Sequence, residues 1–185
     1  MGKRENNANF IVVTGSESTG KTQLAEQLAQ HLNCDWIPEL SRNYIQNLGR
    51  PYAYADVEAI ALQQIEQFKV VQKSSSKMVV FDTGLIITKV WFDVVYGNCP
   101  QWLIQYITQL PKALHLLCDT DLAWVPDTVR ENGGEMREKL SRMYIHELEK
   151  FGFPYALVSG IGNDRLKNAI KIIEGFGINQ LRLGR

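Results

Sequence analysis

Gly15, Gly20, Lys21 and Thr22 stand at the fixed positions of an eight-residue stretch, Gly15-Ser16-Glu17-Ser18-Thr19-Gly20-Lys21-Thr22. These residue types at this spacing can hold a chain of phosphates. Two glycines let the main chain approach phosphate oxygens with no Cβ in the way. Successive N–H groups turned inward form an anion nest, and a helix starting at the lysine adds the positive end of its dipole. Lys21 is then placed to bridge the β- and γ-phosphates, and the Thr22 hydroxyl to bind Mg²⁺. ATP with Mg²⁺ is the expected cofactor pair. The competing reading is an ordinary turn before a helix.

The flanks decide between them. Phe10-Ile11-Val12-Val13 ahead of the stretch is a short, partly β-branched apolar run that predicts a buried strand. Behind it Leu24, Leu28 and Leu32, with Ala25 and Ala29, repeat at helical spacing along one face. Strand, glycine-rich loop and helix together make a P-loop.

Further apolar runs predict strands at 34–37, 78–81, 114–118 and 155–158. Helical periodicity predicts helices over 55–73, 85–96, 101–109, 135–150 and 164–174. Short apolar strands alternating with helices imply an α/β fold, a parallel sheet covered on both faces in a three-layer sandwich. Residues 1–9 are expected to fray, 10–175 to form the domain, about 120–137 to form a lid, and 176–185 to trail as a tail. In such sheets ligands bind beyond the carboxyl ends of the strands. That rule singles out Glu39, Asp82 and Asp119, Ser159-Gly160 and the loop 120–134.

The 185 residues suffice for one substantial core. Twenty basic and twenty acidic residues cancel, which is not the charge footprint of a nucleic-acid binder. No apolar run approaches the length of a membrane span, and no signal peptide precedes the first strand, so the cytoplasm is the expected compartment. Cys34, Cys99 and Cys118 have no metal-ligand spacing and read as free thiols. Oligomeric state is not legible.

Asp82, directly after an apolar strand, occupies the position of a metal-holding carboxylate, against the alternative of a helix cap. Glu39 can accept a proton from an attacking hydroxyl, or be a solvated loop carboxylate. Arg130, between a strand end and two glycines, can neutralise charge on a transferring phosphoryl group, with Arg137 as a second candidate. Trp124 either anchors that loop or touches substrate. No N-K-x-D guanine motif and no ABC-type signature is present, and the chain is short for a ring ATPase with its helical lid domain. A kinase-like module remains, with 40–76 and 84–110 building the acceptor pocket.

Four stretches then carry a resemblance. The P-loop, Pro38-Glu39-Leu40-Ser41-Arg42, Phe81-Asp82-Thr83 and Trp124-Val125-Pro126-Asp127-Thr128-Val129-Arg130 resemble the NadR-type ribosylnicotinamide kinase domain over about residues 10–175. The resemblance implies a sheet of kinase-type order 2-3-1-4-5. It also implies ATP-dependent phosphorylation of the ribose 5′-hydroxyl of nicotinamide riboside, with Arg42, Trp124 and Asp127 joining Glu39 and Asp82 as substrate contacts. Gly84 stands where that family commonly carries a second carboxylate. No adenylyltransferase or DNA-binding activity is expected of these residues. A cationic flat ring and a sugar diol suit the carboxylates together with Trp36, Tyr44, Tyr52, Tyr54 or Trp91. Arg42 and Arg50 keep a nucleoside-monophosphate acceptor open, and an ATP-binding regulatory switch is the non-enzyme alternative.

Overall fold

A computed structural model describes residues 9–74, 78–126 and 132–177. In chain order the elements are β1 (Asn9–Thr14), α1 (Lys21–Leu32), β2 (Asp35–Ile37), α2 (Leu40–Asn47), α3 (Tyr54–Lys73) and β3 (Met78–Asp82). They continue with α4 (Leu85–Tyr96), α5 (Gln101–Gln109), β4 (Leu114–Cys118), α6 (Glu135–Phe151), β5 (Tyr155–Val158) and α7 (Asn163–Gly175). The five strands form one parallel sheet of order β2-β3-β1-β4-β5, the order the resemblance implies.

The period of two in β1 sorts its side chains into two layers. Ile11 and Val13 face α1 and α7, packing with Leu24, Leu28, Leu32, Ala169 and Ile173. Phe10 and Val12 face the other way, against Phe68 of α3 and Phe81 of β3. The Phe68 and Phe81 rings stack there with centroids 4.2 Å apart. Each fully buried Leu, Ile or Val side chain of this kind contributes about 1.5–3 kcal/mol. A third apolar cluster lies among α3, α4, α5 and α6, around Val57, Val90, Phe92, Leu103 and Leu148.

Helix α2 is the one element that periodicity does not announce. It has eight residues, none of them buried, and Glu39 at its N-cap makes no side-chain capping bond. A helix that short draws nothing from propensity and is held by its neighbours. The anchor is Asp56 at the start of α3. It accepts from Arg50 Nη1 and Nη2 at 2.7 and 2.9 Å, the Ala53 N–H at 2.7 Å and the Tyr44 hydroxyl at 3.4 Å. Hydrogen bonding by Arg50, and next by the Ala53 backbone, lowers the Asp56 carboxyl to about 2.

Candidate active site

The P-loop leaves β1 at Gly15, whose φ of 148° lies outside the range favoured by L side chains. A Cβ there would stand 3.0 Å from the Cys118 carbonyl oxygen and from Thr19 Oγ1, so only glycine fits between β1 and β4. Gly20, at φ 73°, is the left-handed N-cap that starts α1 at Lys21. The Ser16 carbonyl accepts hydrogen bonds from Lys21 Nζ and Thr19 Oγ1, both at 2.8 Å. Lys21 thus lies folded back along the loop whose phosphates it is expected to meet.

Sheet register brings Asp82 to this loop. Parallel pairing sets Val13 opposite Asp82, two residues before Gly15. Asp82 is only 2% exposed, and neither carboxylate oxygen makes a hydrogen bond of good geometry, although the Thr22 hydroxyl and the Glu39 N–H stand close to it. Burial pushes its carboxyl up to about 6. The Thr22 hydroxyl and Lys21 oppose that rise, and Glu39 adds to it. A buried carboxylate close to the Thr22 hydroxyl is a suitable donor set for a hard cation. No cluster of three or more His, Cys, Asp or Glu occurs among the described residues. A metal here would therefore take most of its ligands from phosphate and water, as Mg²⁺ does. Thr83 follows with φ 71° and donates its N–H to the Val13 carbonyl at 3.0 Å, fixing the turn that ends β3.

A cleft of about 420 Å³ opens from the P-loop, within the range of small-molecule sites. All the P-loop positions except Ser16 line it. Ser16 is buried beneath them. Helix α2 supplies the floor: Glu39 at its N-cap, Ser41 and Arg42 in its first turn and Ile45 one turn on. Ser41 donates its hydroxyl to Glu39 Oε1 at 2.7 Å, which orients that carboxylate. Apolar and aromatic side chains complete the lining: Tyr52, Ile87, Trp91, Val94 and Val95, with Leu140 and Tyr144 from α6. Tyr52 and Trp91 meet edge to face, ring centroids 5.0 Å apart. Burial, with the charges of Glu17 and Glu39 added, drives the Tyr144 hydroxyl well above the ordinary phenol range, so it stays protonated.

The structure therefore brings the P-loop, Glu39 and Arg42 to one cleft, with Asp82 directly behind it. Of the aromatics considered for a flat ring, Tyr52 and Trp91 line the cleft. Tyr54 instead packs on Phe92 and Tyr96, Tyr44 reaches Asp56, and Trp36 packs beside α1. Asp127 and Arg130 lie outside the described residues. Trp124 lies over Gly133, where a Cβ would sit 3.2 Å from the indole, so it joins the two sides of the predicted lid by packing. Arg137 is buried and donates to the carbonyls of Glu17, Ser18 and Leu122.

Several contacts of the site could not be read from the sequence. Asn132 donates its N–H and side-chain amide to the Glu17 carboxylate at 2.9 and 3.1 Å. Val125 exchanges bonds with the Ser18 hydroxyl through its N–H (3.0 Å) and its carbonyl (3.2 Å). Arg165, on the first turn of α7, donates to the Thr19 carbonyl. Gly84 is extended (φ −158°), so its constraint is steric: a Cβ would meet Val12 Cγ1 at 3.0 Å. The missing second carboxylate has no room there unless Val12 moves.

Comparison with known proteins bears on the family and the fold. A family model described as an AAA domain (AAA_28) matches residues 10–165, the P-loop core. The trifunctional NAD biosynthesis/regulator protein NadR of Salmonella typhimurium is 25% identical over 144 residues, covering 76% of this chain and 35% of that protein. NadR of Escherichia coli is 24% identical over 153 residues, covering 80% and 37%. The chain thus spans roughly a third of the length of these curated relatives. A crystal structure of NadR in complex with NR superposes with TM-score 0.71 at 21% identity, over 90% of this chain and 49% of that one. Deoxyadenosine kinase from M. mycoides superposes with TM-score 0.63 at 14% identity, over 90% and 99%. At these identities the shared property is the fold.

Proposed function

The chain belongs to the AAA-domain family AAA_28, and from that premise we propose that it is an ATP-dependent small-molecule kinase acting on the ribose 5′-hydroxyl of nicotinamide riboside. The observation that carries the reading is the cleft itself. One cavity is lined by the P-loop, an oriented carboxylate and the aromatic side chains of Tyr52, Trp91 and Tyr144. The nicotinamide riboside acceptor comes from the resemblance, a NadR structure in complex with NR supports it, and the pocket suits it: carboxylates and ring faces favour a flat cation.

In this reading the acceptor hydroxyl attacks the γ-phosphorus while Glu39 takes its proton, and ADP leaves with the P–O bond electrons. Lys21 offsets the charge that develops on the phosphate oxygens. Thr22 and Asp82 would hold Mg²⁺, which supplies further neutralisation of the β- and γ-phosphates. Arg42 reaches acceptor oxygens, and Arg130 keeps the lid role read from sequence.

Phosphorylation of a nucleoside monophosphate is the second reading. It needs cations at the acceptor end, and Arg50 is committed to Asp56 through two bonds. Among the described residues that leaves Arg42 as the arginine lining the cleft. The test offers nicotinamide riboside, uridine, thymidine and nucleoside monophosphates with Mg-ATP, and follows ADP release. Nicotinamide riboside should give the fastest turnover, with the monophosphorylated product seen by mass spectrometry. Preference for a monophosphate would overturn the acceptor assignment. No acceptor-stimulated turnover at all would favour a regulatory ATP-binding switch.

A further inference from the structure

We infer that Arg137 and Arg165 are positioning residues that hold the P-loop in its phosphate-binding shape from behind, by capturing three successive backbone carbonyls. The inference rests on the phosphate-binding reading above. An anion nest requires consecutive N–H groups to converge, which turns the carbonyls of the same residues away from the anion. Those carbonyls then face protein, where one left without a donor is costly. Each has a donor here. Arg137 gives Nε to the Glu17 carbonyl at 3.0 Å and Nη2 to the Ser18 carbonyl at 3.3 Å. Arg165 gives Nη1 to the Thr19 carbonyl. With the Ser16 carbonyl on Lys21 and Thr19, four consecutive carbonyls are held.

The remaining donors fasten the loop to the sheet. Arg137 Nη1 reaches the Leu122 carbonyl at 2.9 Å, and Arg165 Nη2 pairs with the Asp121 carboxylate, both in the segment after β4. Arg165 Nε donates to the Gly160 carbonyl at 2.7 Å, just after β5. The two side chains are only 6% and 4% exposed, on the first turns of α6 and α7. A guanidinium is a rigid fork of five donors and can span neighbouring carbonyls, whereas a lysine ammonium is a single point. Arg137, whose donors go to neutral carbonyls, also raises the loop's potential toward phosphate without touching the ligand, whereas the charge of Arg165 is offset by Asp121.

This role differs from that of a phosphate-contacting arginine in what it discriminates. An arginine on the γ-phosphate separates ATP from ADP. A residue that shapes the loop acts on every phosphate bound there. Titration calorimetry of ADP and of the non-hydrolysable analogue AMP-PNP, each with Mg²⁺, tests this in wild type, Arg137→Lys, Arg137→Ala and Arg165→Lys. Both ligands should weaken by the same factor, on the order of tenfold to a hundredfold for the loss of charge-assisted bonds. Millimolar guanidinium ion should restore ADP affinity to Arg137→Ala. Arg142→Ala, an exposed arginine on the same helix, should bind both ligands like wild type. Weakening confined to AMP-PNP, or unchanged affinity for both, would overturn the inference. If Arg137→Ala fails to fold by circular dichroism, the lysine variants carry the test. A folded wild type that binds neither nucleotide overturns the phosphate-binding reading and this one with it. Unchanged variants of a binding wild type overturn this one alone.

Discussion

His115 illustrates how a single residue in the sheet acquires a cost that depends on pH. It is buried in β4, with Nδ1 3.1 Å from the Thr14 hydroxyl, and burial lowers its pKa from 6.5 to about 3. The unfolded chain takes up a proton near the ordinary value and the folded one does not. This residue's contribution is therefore fully present above about pH 6.5 and is lost as pH falls toward 3. Between those limits wild type should lose up to about 1.4 kcal/mol per pH unit relative to His115→Gln, measured by urea unfolding at pH 7 and pH 5. Equal pH slopes would remove the burial argument. Gly84 is limited by volume instead. Gly84→Ala presses a methyl against Val12 and should destabilise by about 1–3 kcal/mol, read from the urea midpoint at constant m.

At the scale of elements, the cleft is set by which helices face each other across it. Lys89 of α4 is 5% exposed and pairs at 2.6 Å both with Asp93 on its own helix and with Glu147 of α6. Those two helices carry Trp91 and Tyr144 into the cleft, so the pair fixes the distance between its walls. Lys89→Met leaves buried Glu147 with only the longer 3.8 Å pair to the half-exposed Lys150 and should cost up to about 3–5 kcal/mol, with much of that recovered in Lys89→Met/Glu147→Leu. A double variant no more stable than the single would show that packing, not charge, governs the interface. Asp82 ends β3 while Glu39 starts α2, and that separation predicts two phenotypes. Asp82→Asn should raise the Mg²⁺ concentration needed for half-maximal turnover. Glu39→Gln should lower kcat while nucleotide and Mg²⁺ still bind. The reverse pattern in steady-state kinetics would exchange their roles.

For the whole molecule, ligand binding and folding are one equilibrium. Mg-AMP-PNP at about a hundredfold over its Kd adds about 2.7 kcal/mol to the folded state. For a chain of this size that should lift Tm by roughly 5–10 °C in a thermal-shift measurement. Nicotinamide riboside added on top should raise it again and uridine should not. A Tm indifferent to nucleotide would deny the cleft its ligand. The strands, the P-loop and most helices were legible in the chain itself, because each is written in local periodicity or in fixed spacing. Helices α4 and α5 and strands β4 and β5 fall on the residues expected from sequence. Asp82 was legible because an apolar strand ends on it. Helix α2 was not, since no residue of it is buried and its tie to the next helix is a tertiary contact, Tyr44 to Asp56. Nor were the contacts of Arg137 and Arg165, whose P-loop partners lie 120 and 146 residues away. Which arginine is solvated and which is clamped to a carbonyl depends on chain crossings that only parallel sheet order creates. Local sequence determined the P-loop, and the tertiary structure decided what surrounds and braces it.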